Sequence, residues 1–216
     1  MASLGNPHPA GLYLLGIVAY QAGHWRRGTD RRAPQPWAAR AIAICAEFGI
    51  VKGYDDNTYG PALPFSRDQM AVCIARALAG VDDGVPNPTG DLSFPDMPLD
   101  HWAYKYIEYA VHHHIVQGYP EGDYRPAAEV TRDQMAVYIA RAVVDPTGED
   151  GLAGYMPPST PSFPDVASDF WAYTHIEYCV GQGVVRRYED GRYHPEVTVT
   201  RDQMAVYIAR AFQLPI

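Results

Sequence analysis

A chain of 216 residues, 47% of them apolar, has room for one or two ordinary domains with a buried core. Its 25 acidic and 17 basic side chains give a net charge of −8, which argues against a general nucleic-acid binder, because such proteins carry a basic face. Fifteen of the 17 basic residues are Arg, with Lys52 and Lys105 the exceptions. Repeated arginines in an acidic protein point to a local site for carboxylate or phosphate.

Residues 11–22 are apolar but too short to span a membrane. No Lys or Arg precedes them within residues 1–10, which speaks against a signal peptide and leaves a packing segment or a remnant of a longer parent chain. Segment 1–36 is expected to be irregular, at least over 23–36.

A first helix is predicted to open near Trp37. Its register places Cys45 where later segments have Ala110 and Cys179, which reads as a small buried helix position. With three cysteines and no metal-ligand spacing, neither a full disulfide framework nor a metal site is expected. A tight turn follows at Asp55-Asp56-Asn57-Thr58, with Asn at the position that favours positive φ. A second helix then starts at Ser66, where Ser-x-x-Gln forms a capping box.

The same order returns twice. The first helices near Trp102 and Trp171 are apolar nearly all round, which predicts burial on several sides. The turns are Pro120-Glu121-Gly122-Asp123 and Glu189-Asp190-Gly191-Arg192, and the second helices open at Thr131 and Thr200. There Met135, Tyr138, Ile139 and Ala142 follow the period of a single buried face. Each tryptophan precedes its Ser or Thr by 29 residues, while the copies are offset by 65 and then 69 residues. A constant internal spacing across a variable linker marks three structural units. Their expected bounds are 37–79, 94–143 and 163–212, joined by extended Gly-, Pro- and Asp-rich linkers at 80–93 and 144–162. Units of this size are small for private cores, so a shared core is expected.

Each unit breaks one local rule at the same place. Arg67, Arg132 and Arg201 occupy the first position of the second helix, where a cation opposes the helix dipole by roughly 0.3–1 kcal/mol. Either each is neutralised by an internal carboxylate such as Asp96 or Asp165, or it joins free helix N–H groups in an anion site. Trp37, Trp102 and Trp171 are either core anchors or partly exposed platforms for sugar faces. Arg186-Arg187 replaces Gln117-Gly118 and Lys52-Gly53, and adds either backbone strain at Arg187 or charge to a site. His112, His113 and His114 point in different directions on a helix and cannot converge on one ion. Glu108 and Glu177 read as helix-surface or interface charges rather than a catalytic pair, and no hydrolase, phosphate-loop or dinucleotide motif occurs.

The recurring F-P-D, W-A-x3-I-E-Y, Gly-bearing turn and T-R-D-Q resemble the S-layer homology repeat over about residues 37–212. The resemblance implies a mostly α fold, with three helix-turn-helix repeats packed as a pseudo-threefold helical bundle. It further implies a monomeric, extracellular, non-catalytic module with no cofactor and no membrane insertion. The implied partner is a secondary cell-wall polysaccharide or another peptidoglycan-linked polymer, anionic and often pyruvylated in the family, held in inter-repeat grooves. Carried over residue by residue, the ligand-binding set is Arg132, Arg201, Arg67, Trp102, Trp171, Trp37, Asp96 and Asp165. Unit one departs from the pattern, with Thr29-Asp30-Arg31 in place of F-P-D. On this reading Arg132→Ala is expected to weaken polymer binding with little loss of stability. The alternative is a protein–protein scaffold of the cell envelope.

Overall fold

The computed structural model describes residues 36–90 and 92–216. The stretch 11–22 and the triplet Thr29-Asp30-Arg31 lie outside them. Among the described residues the chain is mostly helical: α1 (Pro36–Glu47), α2 (Arg67–Ala79), α3 (Tyr104–His112), α4 (Arg132–Val143), α5 (Glu149–Leu152), α6 (Tyr173–Gly181) and α7 (Arg201–Ala211). A short 3-10 turn at Asp82–Gly84 and isolated antiparallel bridges complete it.

The second helices, α2, α4 and α7, start immediately after Ser66, Thr131 and Thr200. The capping box is complete only at α7. In every unit the first-turn carboxylate takes the N3 amide, at α7 alongside the box, as Gln69 N, Gln134 N and Gln203 N donate to Asp68, Asp133 and Asp202 at 2.7–2.8 Å. The side chain that suits the helix dipole thus also satisfies an orphan donor. The turn residues Asn57, Gly122 and Gly191 have φ of 62°, 95° and 82°, the left-handed conformation their chemistry permits.

Packing runs between units rather than within them. The first helix of each unit lies chiefly on the second helix of the unit before it: α3 on α2, α6 on α4, and α1 on α7, which closes the ring. At the centre Val130 N donates to Phe65 O (2.8 Å), Val199 N to Val130 O (2.9 Å) and Phe65 N to Val199 O (2.9 Å). This cyclic triplet of backbone bonds places the three units around one pseudo-threefold axis. Met70, Met135 and Met204 and Ile74, Ile139 and Ile208 are fully buried, so all three units fill one core.

One expectation about the helices is corrected. On α4, Ala136, Val137 and Ala140 are buried as well as Met135, Tyr138, Ile139 and Ala142, so burial is not confined to one face. The second helices are the inner layer, touched by one another and by a first helix. As expected, α3 and α6 are buried on several sides, whereas α1 exposes Ala39, Arg40, Ala43 and Ala46. Short apolar side chains allow burial on all sides without requiring it. The connectors also hold more structure than extended linkers, since the 3-10 turn and α5 supply carboxylates to the body. Asp82 accepts from Arg76 Nε at 2.6 Å, and Glu149 from Arg141 Nε at 2.6 Å and His175 Nε2 at 3.1 Å.

Candidate functional site

The arginines that open the second helices leave their own helices and enter the next unit. Arg132 Nε donates to Tyr193 O (2.7 Å), Nη2 to Arg186 O (3.2 Å) and Nη1 to the Tyr207 hydroxyl. Arg67 repeats this with Tyr124 O (2.7 Å), Gln117 O (2.9 Å) and the Tyr138 hydroxyl. Arg201 uses Tyr59 O (2.8 Å), Lys52 O (2.9 Å) and, because Cys73 replaces the second tyrosine, Gln69 Oε1 at 3.4 Å. The tyrosines reciprocate: the hydroxyls of Tyr193, Tyr124 and Tyr59 donate to the carbonyls of Arg132, Arg67 and Arg201 at 2.7, 2.9 and 3.1 Å. Burial pushes the hydroxyl pKa values of Tyr124 and Tyr193 well above the ordinary value, which keeps them donors. Each guanidinium also lies 4.4–4.5 Å from the centre of its clamp tyrosine ring.

None of the three arginines pairs with a carboxylate among the described residues. Asp96 instead accepts from Tyr124 N (2.8 Å) and Arg125 N (2.7 Å), and Asp165 from Tyr193 N (2.9 Å) and His194 N (2.7 Å). These carboxylates hold the positive-φ turns at Arg125 (57°) and His194 (55°), and through them the clamp tyrosines. The expected free helix N–H groups are also absent. The amides of Arg132 and Asp133 donate to Val197 O and Pro195 O, both at 3.0 Å, and those of Arg67 and Asp68, and of Arg201 and Asp202, do the same to equivalent carbonyls. The segments flanking the central axis consume these donors, so any anion here is held by side chains.

The arginines' burial overturns a second expectation. Arg132, Arg67 and Arg201 are only 2%, 4% and 6% exposed, and each satisfies several acceptors of the neighbouring unit. Removing one leaves buried carbonyls unpaired, so Arg132→Ala is not stability-neutral. The tryptophans take the exposed alternative: Trp37, Trp102 and Trp171 are 55%, 56% and 58% exposed. Trp171 Nε1 reaches Asp133 Oδ2 at 3.2 Å.

The structure joins two of the expected site residues in one open cleft of about 650 Å³, lined by Trp37, Arg132, Arg186, Arg187, Glu189, Gln203, Tyr207 and Arg210 among others. It is walled by the unit-three turn, by α7 and by the start of α1. A smaller cleft of about 350 Å³ lies between Trp102, Leu99, His101, Lys105 and the connector at Asn87-Pro88. Asp96 and Asp165 line neither. Sequence reasoning overlooked Tyr59, Tyr124 and Tyr193 as the clamp, although an aromatic after each turn was its visible signal. Arg187 carries no strain, as its φ is not positive. Glu108 and Glu177 are not surface charges: each is buried and accepts from the amide and hydroxyl of Ser93 or Ser162 at 2.5–3.0 Å.

Residues 31–71, 93–136 and 162–205, more than half of the chain, match the family model of the S-layer homology domain. The chain belongs to the S-layer homology family. Its three S-layer homology repeats are 26% identical over 166 residues to a cellulosome-anchoring protein of Acetivibrio thermocellus, covering 76% of this chain and 35% of that protein. They are 30% identical over 140 residues to the S-layer protein EA1 of Bacillus anthracis, covering 65% and 15%. An endoglucanase of a Bacillus species is 27% identical over 174 residues, covering 80% and 17%. The chain thus spans only about a third or less of the length of these relatives.

Proposed function

We propose that this S-layer homology module anchors a protein noncovalently to the cell wall by binding an anionic polysaccharide in its inter-repeat grooves, and that it has no catalytic activity of its own. Support comes from relatives named for anchoring and for the S-layer, together with the 650 Å³ cleft that joins Arg132 to the exposed Trp37. The volume lies in the usual range of small-ligand sites, about 300–1,000 Å³. An indole face covers the apolar side of a sugar ring, and guanidinium groups meet its acid group. Arg132 sits at the edge of this groove as both structural clamp and source of positive potential. Arg67 and Arg201 have the equivalent place in the other two grooves, with Trp171 and Trp102 as their candidate platforms. Asp96 and Asp165 act indirectly in this scheme, by fixing the clamp turns. Several grooves on a repetitive polymer raise avidity beyond any single site.

Co-sedimentation with purified bacterial walls tests this reading. Wild-type protein is expected to sediment with walls that keep their accessory polymers and to remain in solution with stripped peptidoglycan. Trp37→Ala, at a half-exposed position, is expected to weaken sedimentation several-fold while changing stability by no more than about 0.5–1 kcal/mol. Undiminished binding to stripped walls would rule the proposal out.

A further inference from the structure

The three grooves are related by sequence but not by charge. In unit one the last-turn Arg76 and the turn residue Lys52 both face Asp82, at 2.6 and 3.6 Å. In unit two the last-turn Arg141 is bound by Glu149, and the turn carries the uncharged Gln117-Gly118. Unit three has no such compensation among the described residues. Its last-turn Arg210 donates to Val184 O at 3.1 Å, and no carboxylate among the described residues pairs with Arg210, Arg186 or Arg187. Arg186 and Arg187 are exposed and replace a polar or basic residue and a glycine in the other units. All three line the same cleft as Arg132, where Glu189 is the one carboxylate among the described lining residues. Burial, and then the charge of Arg186, push the pKa of Arg210 below its ordinary value.

We infer that the groove between units two and three is a polyanion site, built to hold a glycan segment with at least two closely spaced negative groups, through Arg186, Arg187 and Arg210. The inference rests on the wall-polymer reading above and assigns this groove a ligand class that the other two are not charged to take. One anionic group neutralises one guanidinium, and four guanidinium groups against one carboxylate leave a surplus that a singly charged sugar does not satisfy. The guanidinium fork serves carboxylates and phosphates alike. A cleft with one sign of charge also speeds the capture of a charged polymer.

The test uses the full chain and isolated, polymer-bearing walls, comparing wild type with R186Q/R187Q and with R210Q. These substitutions remove charge and keep most of the side-chain volume. R186Q/R187Q is expected to lose about tenfold in apparent wall affinity and to show a flatter salt dependence between about 0.05 and 0.5 M NaCl, with an unchanged melting temperature. R210Q is expected to lose affinity in the same direction. Capping wall carboxylates with carbodiimide and ethanolamine identifies the anion: the arginine-dependent increment disappears if carboxylates supply it and persists if phosphates do. Equal affinity and equal salt dependence of wild type and R186Q/R187Q would overturn the polyanion site while leaving wall anchoring intact. Failure of the wild type to sediment with these walls would overturn both.

Discussion

Arg132 shows how one residue type serves two purposes at once. Its guanidinium holds the carbonyls of Tyr193 and Arg186 and a tyrosine hydroxyl in the next unit, while no carboxylate among the described residues pairs with it at the edge of a groove. Arg132→Ala is therefore expected to cost roughly 2–4 kcal/mol in urea unfolding, because buried acceptors lose their donors. Arg187→Ala, at an exposed position, is expected to stay within about 0.5 kcal/mol in the same measurement. Near-equal losses in the two variants would contradict the clamp. The misplaced cation was legible in the sequence as a violation of dipole logic. Its solution was not legible, because the acceptors lie 54 to 75 residues away and are mostly main-chain carbonyls without a residue signature.

At the scale of elements, connector carboxylates pin the helices together. Asp82 accepts from Arg76 on α2 and from the Tyr106 hydroxyl on α3. Burial alone would raise its pKa, but the hydrogen bonds from Tyr106 and Arg76, with the charges of Arg76 and Lys52, carry it down to about 2. A depressed carboxylate stabilises the fold above its unfolded pKa of about 4 and loses that contribution as pH falls toward about 2. Thermal melts of the wild type are expected to drop across this window, with part of the drop missing in Asp82→Asn. At neutral pH the half-exposed side chain limits the cost of that substitution to roughly 0.5–1 kcal/mol. A parallel pH dependence in both proteins would discount the staple. The helices themselves were readable from caps, period and turn chemistry, which act within a few residues. The staples were not, since Gly-, Pro- and Asp-rich composition looks the same in an extended linker and in a short helical turn.

At the scale of the whole molecule, each unit exports its first helix to the preceding neighbour, and the ring closes where α1 meets α7. A unit cut out by its sequence bounds therefore loses the partners of both its helices. Residues 94–143 alone are expected to show no cooperative unfolding transition by circular dichroism, whereas the full chain is expected to melt in a single step. A cooperative transition in the isolated segment would show that the units carry private cores. The same exchange builds the grooves, because the 650 Å³ cleft combines α1 of unit one, Arg132 of unit two, and the turn and α7 of unit three.

The amino-acid sequence by itself determined the number of units, the places where the second helices begin, the positive-φ turns and the family resemblance. All of these rest on local chemistry repeated at constant spacing. Only the tertiary structure decided that the units interlock, that Arg67, Arg132 and Arg201 are clamps, that Trp37, Trp102 and Trp171 stand half in solvent, and that one groove keeps an excess of positive charge. Each of those facts depends on which side chains meet across long stretches of chain, and pairing at that distance leaves no periodic trace.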